Sequence, residues 1–285
     1  MTAPLVEQIA NAVLYEGYLL YPYRKSAVKN QQRWNFGVVA PGESMETQCL
    51  ALGGPLTSLS VKVRCLRLLE RLADGWHEAS ECEMTPPDAS FAELETAPLT
   101  HRFAHAATRT EERTQAALDC EIETRADQVQ DGLYRITVRI SNTTPPPAAA
   151  PAQALLSAHT ILRVHSGAFV SLLETPAGYV DAAAACRNSG TWPVLVGEPG
   201  ARDTLLSSPI ILYDYPQVAP ESPGDLCDGA EIDEILSLRI LTLTDDEKDA
   251  MRHTDEFARR ILERTESLPP GHFMKLHGAM RKENA

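Results

Sequence analysis

Residues 117–141 read ALDCEIETRADQVQDGLYRITVRIS, and this stretch decides the fold. Apolar and polar residues alternate on both sides of a central Asp131-Gly132 pair. Strict alternation is typical of a strand with one buried face. Asp-Gly favours a two-residue turn, because glycine accepts a positive φ at little cost. The sequence therefore predicts a β-hairpin with these inward residues: Leu118, Cys120, Ile122, Thr124, Tyr134, Ile136, Val138 and Ile140.

Other segments of the chain carry strand signals of the same kind. Residues 58–67 alternate strictly, and their apolar face is formed by Leu59, Val61, Val63 and Cys65. The remaining strand candidates are 34–39, 76–84, 102–108, 155–173 and 205–213. Several half-buried strands joined by turns favour an antiparallel arrangement. The fold class that we predict is mainly β, an antiparallel β-sandwich with a C-terminal α-helical segment.

Helical patterns lie near the two ends of the chain. Residues 5–16 are a modest amphipathic helix candidate. Residues 231–243 fit a helix or a strand, and we favour a helix. Thr244 and Glu247 form a capping box, in which each side chain satisfies a free amide at a helix start. A helix is expected from Asp245 to about Thr265, with an inner stripe of Met251, Phe257, Ile261 and Leu262.

The domain organisation follows from these elements. Residues 142–153 are rich in Pro and Ala, have little to bury, and predict an extended surface loop. Because strand signals continue after this loop, we predict one sandwich domain over residues 1–230. Residues 231–285 form the helical segment, which is expected to pack on it.

Composition limits the class of partner. The chain has 285 residues and a formal net charge of −13, without a dense basic run. A nucleic-acid binder needs a basic face, so nucleic acid is an unfavourable partner, as is an anionic membrane. An acidic surface suits a basic protein partner or cations. We find no long apolar window and no secretory signal, so the expected location is the cytoplasm.

Six cysteines are scattered along the chain, and no two of them form a CxxC pair. In a reducing compartment free thiols are expected, and Cys65 and Cys120 lie in apolar runs where Cys acts as a small buried hydrophobe. No nucleophile elbow, P-loop, dinucleotide-binding, HExxH or EF-hand pattern is present. An enzyme of unrecognised type remains a hypothesis.

Candidate metal ligands come from two places. Asp225, Cys227 and Asp228 belong to an acidic loop with Pro and Gly that also contains Asp214, Glu221, Glu231, Asp233 and Glu234. Carboxylates and a thiolate there could hold a divalent cation, Ni or Zn. The alternative is a solvated loop whose Asp228 caps the next helix. His101 and His105 share one face of a helix, or of a strand at roughly 13 Å; the alternative is ordinary surface or core histidines.

Candidate partner-binding residues lie near the N-terminus, where residues 15–34 are dense in Tyr, Arg and Trp. These residue types anchor protein interfaces. The candidates are Tyr18, Tyr21, Tyr23, Arg24 and Trp34. The alternative is that they cover one edge of the sandwich.

Three stretches also carry a resemblance: YEGYLLYPYR at 15–24, WNFG at 34–37, and SPIILYDYP at 208–216 running into DGAEIDEIL at 228–236. Together they are similar to an uncharacterised bacterial family encoded beside uptake [NiFe]-hydrogenases of the actinobacterial type. The resemblance covers most of the chain but includes no catalytic signature. It implies a non-enzymatic accessory protein that binds a hydrogenase subunit or a maturation partner. A metal-delivering protein is the alternative.

Overall fold

The structure, a computed structural model, describes residues 2–31, 33–218 and 233–269. The chain divides into two compact units. The β unit takes in the chain up to Leu14 together with Phe36–Pro216. The helical unit takes in Tyr15–Asn35 and the chain from Gln217 onward. The predicted boundary between residues 230 and 231 lies outside the described residues.

Two antiparallel sheets build the β unit. Its strands are β1 Ser44–Leu52, β2 Ser58–Arg71, β3 His77–Met84, β4 Ala89–Ser90, β5 Leu99–His105, β6 Thr108–Arg109, β7 Arg113–Gln115, β8 Leu118–Gln130, β9 Leu133–Asn142, β10 Leu156–His165, β11 Ala168–Val170, β12 Trp192–Leu195 and β13 Thr204–Ser208. Its helices are α1 Thr2–Leu14, α2 Phe91–Thr96 and α3 Val180–Ala184, the last preceded by a 3₁₀ turn at Ala177–Tyr179. Sheet A has the order β11-β1-β9-β8-β5; sheet B has the order β12-β13-β10-β2-β7-β6, and β3 and β4 also pair with β2.

The predicted hairpin is confirmed as β8 and β9. Asp131 and Gly132 connect the two strands, and Gly132 has a φ of +67°. Ile122 lies opposite Ile140, and one register shift falls near the turn. All of the predicted inward residues are buried, so the alternation does place one face of the hairpin in the core.

The core of the β unit lies between the two sheets, which confirms the predicted sandwich. The apolar face predicted for residues 58–67 contributes to it from sheet B, and the hairpin contributes from sheet A. Phe91, the first residue of α2, is fully buried, and its ring lies 4.8 Å from that of Tyr134. Cys65 and Cys120 are buried, as predicted.

α1 confirms the predicted N-terminal helix and packs on the outer face of β2 and β10. Glu7 accepts hydrogen bonds from Lys62 at 2.8 Å and from Arg64 at 3.0 Å. Asn11 accepts from Arg64 at 2.6 Å. Beneath α1 the Arg64 side chain is buried, while its carboxylate partners stay partly exposed.

The strand predicted at 34–39 is wrong except at its end. Only Val39 pairs, through an isolated antiparallel bridge with Leu155. Gly37 has a φ of +55°, which a continuous strand does not adopt. A Cβ at Gly37 would lie 2.7 Å from the backbone nitrogen of Ala158, so a close approach to β10 requires glycine here.

The later strand predictions agree better with the structure. Residues 142–153 form a loop after β9, as expected, and the 155–173 candidate becomes β10 and β11. The 205–213 candidate ends early, at Ser208. Pro209 follows and has no N–H with which to continue the ladder.

The helical unit combines residues 15–35, with a 3₁₀ turn at Val28–Gln31, and the helices α4 Asp233–Leu241, α5 Asp245–Arg252 and α6 Glu256–Glu266. Within the described ranges, none of the helices has the length and apolar character needed to span a bilayer.

The favoured helix at 231–243 is confirmed over its described part. So is the capping box: Thr244 Oγ1 accepts from the Glu247 amide at 3.3 Å, and Glu247 accepts from the Thr244 amide at 3.1 Å.

A single helix from 245 to 265 was expected, and the structure instead has a break between α5 and α6. Asp255 is extended there, with φ −161° and ψ 178°. Its Oδ1 accepts from the Ala258 amide at 2.8 Å, and its Oδ2 accepts from the Tyr18 hydroxyl at 2.9 Å. Asp255 is therefore the N-cap of a new helix, and its second oxygen binds a residue remote in sequence. The predicted inner stripe is nevertheless buried.

We expect Asp255→Ala to lower the free energy of unfolding by about 2 kcal/mol. The substitution removes the N-cap of α6, which is typically worth ~1 kcal/mol. It also leaves the buried Tyr18 hydroxyl without this acceptor, at a similar cost. Urea unfolding followed by the helical circular dichroism signal measures the effect. Asp255→Asn keeps an acceptor and is expected to lose less than half as much; equal losses would contradict the capping explanation.

Candidate functional site

Sulfur-containing side chains gather where β3 of sheet B approaches β5 of sheet A. β3 borders sheet B there, and β5 is the last strand of sheet A. Cys65 lies directly opposite Cys82 in the β2–β3 ladder. Behind them, Cys120 Sγ lies 3.0 Å from Met84 Sδ.

His105, on β5, lies beside these sulfur atoms. Its Nε2 lies 3.5 Å from Cys82 Sγ, which joins the two sheets across the gap. The imidazole is partly exposed, Cys82 is 8% exposed, and Cys65 is fully buried. The three groups therefore form a path from solvent to the interior. We call Cys65, Cys82 and His105 the thiol–imidazole cluster.

The pKa values of the two thiols of this cluster are shifted in opposite directions. A hydrogen bond from the Cys65 thiol lowers the pKa of Cys82, and Arg67 nearby acts in the same direction. That hydrogen bond, together with burial, raises the pKa of Cys65 well above its ordinary value. Burial and then Arg67 lower the pKa of His105, so its ring is neutral and free to accept a proton.

The other described thiols lack this combination. Burial raises the pKa of Cys120 to about 12. It also raises the pKa of Cys49 and of the half-buried Cys186. Among the described thiols, only Cys82 has a lowered pKa.

The structure does not bring the two predicted histidine ligands together. His101 and His105 both lie on β5, a strand, so their Cα atoms are roughly 13 Å apart and one ion cannot bind both. Asp225, Cys227 and Asp228 lie outside the described residues. In the part of the chain that the structure describes, no group of three or more His, Cys, Asp or Glu side chains is arranged to hold a metal ion.

Asp214, at the start of the acidic loop, fastens a chain segment. Its Oδ1 accepts from the Leu195 amide at 2.8 Å, and its Oδ2 accepts from the Ser171 hydroxyl at 2.5 Å. The Tyr215 amide donates to the Leu195 carbonyl at 2.7 Å. The segment after β13 is thereby held along the open edge of β12.

Three large apolar side chains are exposed along this edge. Trp192 belongs to β12, and Ile211 and Tyr213 belong to the fastened segment; they are 44%, 71% and 85% exposed. Trp192 lies opposite Ser208, which puts it at the end of β12 where the segment begins. We call these three residues the β12 surface.

The predicted partner-binding residues have mixed positions. Tyr18 and Tyr23 are buried in the structure, whereas Tyr21, Arg24 and Trp34 are partly exposed. Tyr18 stacks edge-on with Phe257 at 5.2 Å and with Trp34 at 5.3 Å. This segment therefore supplies much of the aromatic packing of the helical unit.

An enzyme in a cleft would be favoured by carboxylates of displaced pKa facing a pocket. The described carboxylates with a displaced pKa are Glu93, Glu247 and Glu256, and all three are lowered at exposed helix starts by hydrogen bonds from Ser90, Thr244 and Arg259. A groove of about 470 Å³ lies beside β5 and β8, and none of the three lines it.

Comparison with known proteins gives no identity. No protein-family model matches the chain, and no curated protein is significantly similar to it.

The thiol–imidazole cluster has no usable signal in the sequence. An Asp74-Gly75 pair follows β2, but a two-residue turn there would pair Cys65 with Met84. The structure instead joins β2 and β3 through a longer loop, in which the Arg71 amide donates to the Trp76 carbonyl, and this loop puts Cys65 opposite Cys82. The approach of His105 depends on how the two sheets pack.

Proposed function

We propose that the protein is a non-enzymatic accessory protein that binds another protein, and that the β12 surface is a contact region. The observation that supports this most is the exposure of Trp192, Ile211 and Tyr213 along one fastened edge. Aromatic anchors of this kind dominate the energetics of protein interfaces. Exposed apolar residues gathered at one edge often mark such contacts.

The fastening of this segment matters for affinity. A mobile segment would lose conformational entropy on binding, which weakens association. Asp214 holds the segment through two hydrogen bonds, one from Ser171, which follows β11, and one from Leu195 of β12. The Tyr215 hydroxyl donates to the Ala201 carbonyl at 3.1 Å. The apolar side chains are therefore displayed on an ordered support.

The chemistry of the partner follows from the charge. The chain carries a net charge of −13, and five acidic residues lie between 221 and 233, soon after the β12 surface in sequence. A partner with an apolar patch beside basic residues is complementary to such a chain. The resemblance of residues 208–216 to the hydrogenase-linked family suggests a [NiFe]-hydrogenase subunit or maturation factor as that partner.

Capture of hydrogenase components tests this function. The tagged full chain is expressed in its native host and purified at low salt, and hydrogenase subunits and maturation proteins are identified by mass spectrometry. Recovery of a hydrogenase component is the expected result. A capture that enriches none of them would count heavily against the hydrogenase role.

Substitutions at the β12 surface locate the contact. Truncation of a hot-spot residue costs about 2 kcal/mol, which is roughly 30-fold in Kd. We therefore expect Trp192→Ala and Tyr213→Ala each to weaken binding of the recovered partner by about that factor in calorimetry. Leu56, 91% exposed elsewhere on the β unit, is the matched control. Leu56→Ala is expected to bind normally, and equal binding by all three variants would refute the assignment.

A Ni²⁺- or Zn²⁺-binding role is the second candidate, and the clustering of Asp225, Cys227 and Asp228 in sequence favours it. Titration calorimetry of the full chain with each metal tests it. If Cys227→Ser and Asp228→Asn bind metal as the wild type does, the loop is not the site.

A further inference from the structure

We propose that Cys82 and Cys65 are a reversible dithiol–disulfide couple that exchanges with small disulfides, entered through Cys82 with His105 as the proton acceptor. The geometry of the thiol–imidazole cluster carries this inference. It is independent of the β12 surface and of any protein partner.

The distance between the two cysteines suits a disulfide. They are direct partners in neighbouring antiparallel strands, so their Cα atoms are about 4.5–5.5 Å apart. Disulfides form when the Cα atoms are roughly 4.4–6.8 Å apart. The Cys65 thiol already donates a hydrogen bond to the Cys82 carbonyl, at 3.8 Å. The register of the β2–β3 ladder therefore already holds the two cysteines at disulfide distance.

The order of reaction follows from exposure and proton affinity. Cys82 lies nearer to solvent, behind the partly exposed His105, and Cys65 is fully buried. The thiolate is the reactive form of cysteine, and the lowered pKa of Cys82 makes it the thiol that ionises first. A neutral imidazole at 3.5 Å accepts its proton. Cys82 is thus the attacking thiol and Cys65 the resolving thiol.

The exchange balances in two steps. The Cys82 thiolate attacks one sulfur of the small disulfide, whose S–S bond breaks, and the departing half takes up the Cys82 proton and leaves as a thiol. Cys65 then loses its proton and attacks the Cys82 sulfur in the mixed disulfide, so the second half also leaves as a protonated thiol. Two protein thiols are oxidised to one disulfide, and one small disulfide is reduced to two thiols.

Cystamine is the probe for the test, because its two halves are small and Cys82 is only 8% exposed. The full chain, carrying Cys186→Ser and Cys227→Ser, is incubated with cystamine without denaturant. The protein is then unfolded, the remaining thiols are alkylated, and the peptides are identified by mass spectrometry. The expected product is a Cys65–Cys82 disulfide that dithiothreitol reduces. Cys49 and Cys120 are expected to remain thiols and therefore to be alkylated.

Three further variants separate the roles. Cys65→Ser should trap a stable cysteamine adduct on Cys82. Cys82→Ser should leave Cys65 unoxidised, because the buried thiol cannot be reached. His105→Gln should slow the reaction at least roughly 10-fold at pH 7, while the far-ultraviolet circular dichroism spectrum stays that of the wild type.

The proposal fails on any of three results. The first is the absence of an adduct on Cys82 in folded Cys65→Ser protein. The second is a wild-type adduct on Cys82 that Cys65 does not displace. The third is oxidation of Cys65 in the Cys82→Ser variant, which would show another route of entry.

Discussion

Phe91→Ala is expected to lower the free energy of unfolding by about 3–5 kcal/mol. Removal of a buried phenylalanine ring loses its transfer free energy and leaves a cavity that the core only partly refills. Phe91 is fully buried in the cluster between the two sheets, with its ring 4.8 Å from that of Tyr134. A protein with a total stability of ~5–15 kcal/mol would lose a large part of it.

The backbone around Phe91 explains why the ring has no alternative position. The Phe91 amide donates to the Thr57 carbonyl at 2.9 Å. Ser90 caps α2 in a capping box with Glu93, so the helix start is fixed. The ring is therefore directed between the sheets by local structure as well as by packing.

Urea unfolding followed by near-ultraviolet circular dichroism measures the loss. Phe91→Leu keeps most of the volume and is expected to cost about 1–2 kcal/mol. Phe36, which is 40% exposed, is the matched control, and Phe36→Ala should cost less than about 1 kcal/mol. If Phe91→Ala and Phe36→Ala have equal effects, α2 does not close the sandwich core.

Acidification is expected to destabilise the protein through His159, by about 3 kcal/mol between pH 7 and pH 4. His159 is fully buried on the outer face of β10, and burial lowers its pKa to about 4. Its Nδ1 lies 2.6 Å from the Ser157 carbonyl, which requires the neutral ring to donate from that nitrogen. Its Nε2 has no hydrogen-bond partner among the described residues.

Arg64 is the charged group that faces this imidazole, from the opposite position on β2. α1, which packs on the same face, contributes Glu7 and Asn11, and both are bonded to the Arg64 guanidinium. Glu81 of β3 also bonds Arg64, at 2.9 Å. The carboxylates pair with the guanidinium from its far side, while its positive charge adds to burial in lowering the pKa of His159.

The direction of the pH effect follows from the two states. The unfolded chain binds a proton at His159 near pH 6.5, whereas the folded protein does not bind it until about pH 4. Between these values the unfolded state holds more protons, so stability rises with pH. The contribution of His159 is complete above about pH 6.5 and is lost as the pH falls towards 4.

Unfolding free energies of the wild type and of His159→Gln, measured from pH 4 to 8, isolate this effect from that of other groups. The difference between the two proteins should shrink as the pH falls. His253, an exposed histidine of the helical unit, is the control for the substitution itself, and His253→Gln should differ from the wild type by less than about 0.5 kcal/mol at pH 7. A constant difference between wild type and His159→Gln would contradict the prediction.

Local patterns explain what could be predicted from sequence. The Asp131-Gly132 hairpin and the Thr244 capping box each depend on residues a few positions apart, and both are confirmed. The break at Asp255 has a local part, since its side chain accepts from the Ala258 amide three residues on, and a long-range part, since it also accepts from Tyr18, 237 residues away. No periodicity within a helix records such a contact.

In the candidate sites too, features set by neighbouring residues could be predicted from sequence and features set by contacts between sheets could not. Cys65 was predicted to be buried from the alternation of β2, and it is. The approach of His105 to Cys82 depends on two strands from different sheets, and sequence spacing says nothing about that distance. The β12 surface does not follow from the sequence pattern, because Ile211 and Tyr213 belong to the predicted 205–213 strand, which ends at Ser208 in the structure.

The division of the chain has a consequence for biosynthesis. The helical unit joins residues 15–35 to segments that follow the whole β unit. A ribosome adds roughly 5–20 residues per second, so Tyr18 emerges about 10–50 s before the Asp255 that accepts its hydrogen bond, given their separation of 237 residues. During that interval the nascent aromatic segment has no helical partner to pack against. Its tyrosines are then available to chaperones, and the helical unit can only assemble after α6 has been translated.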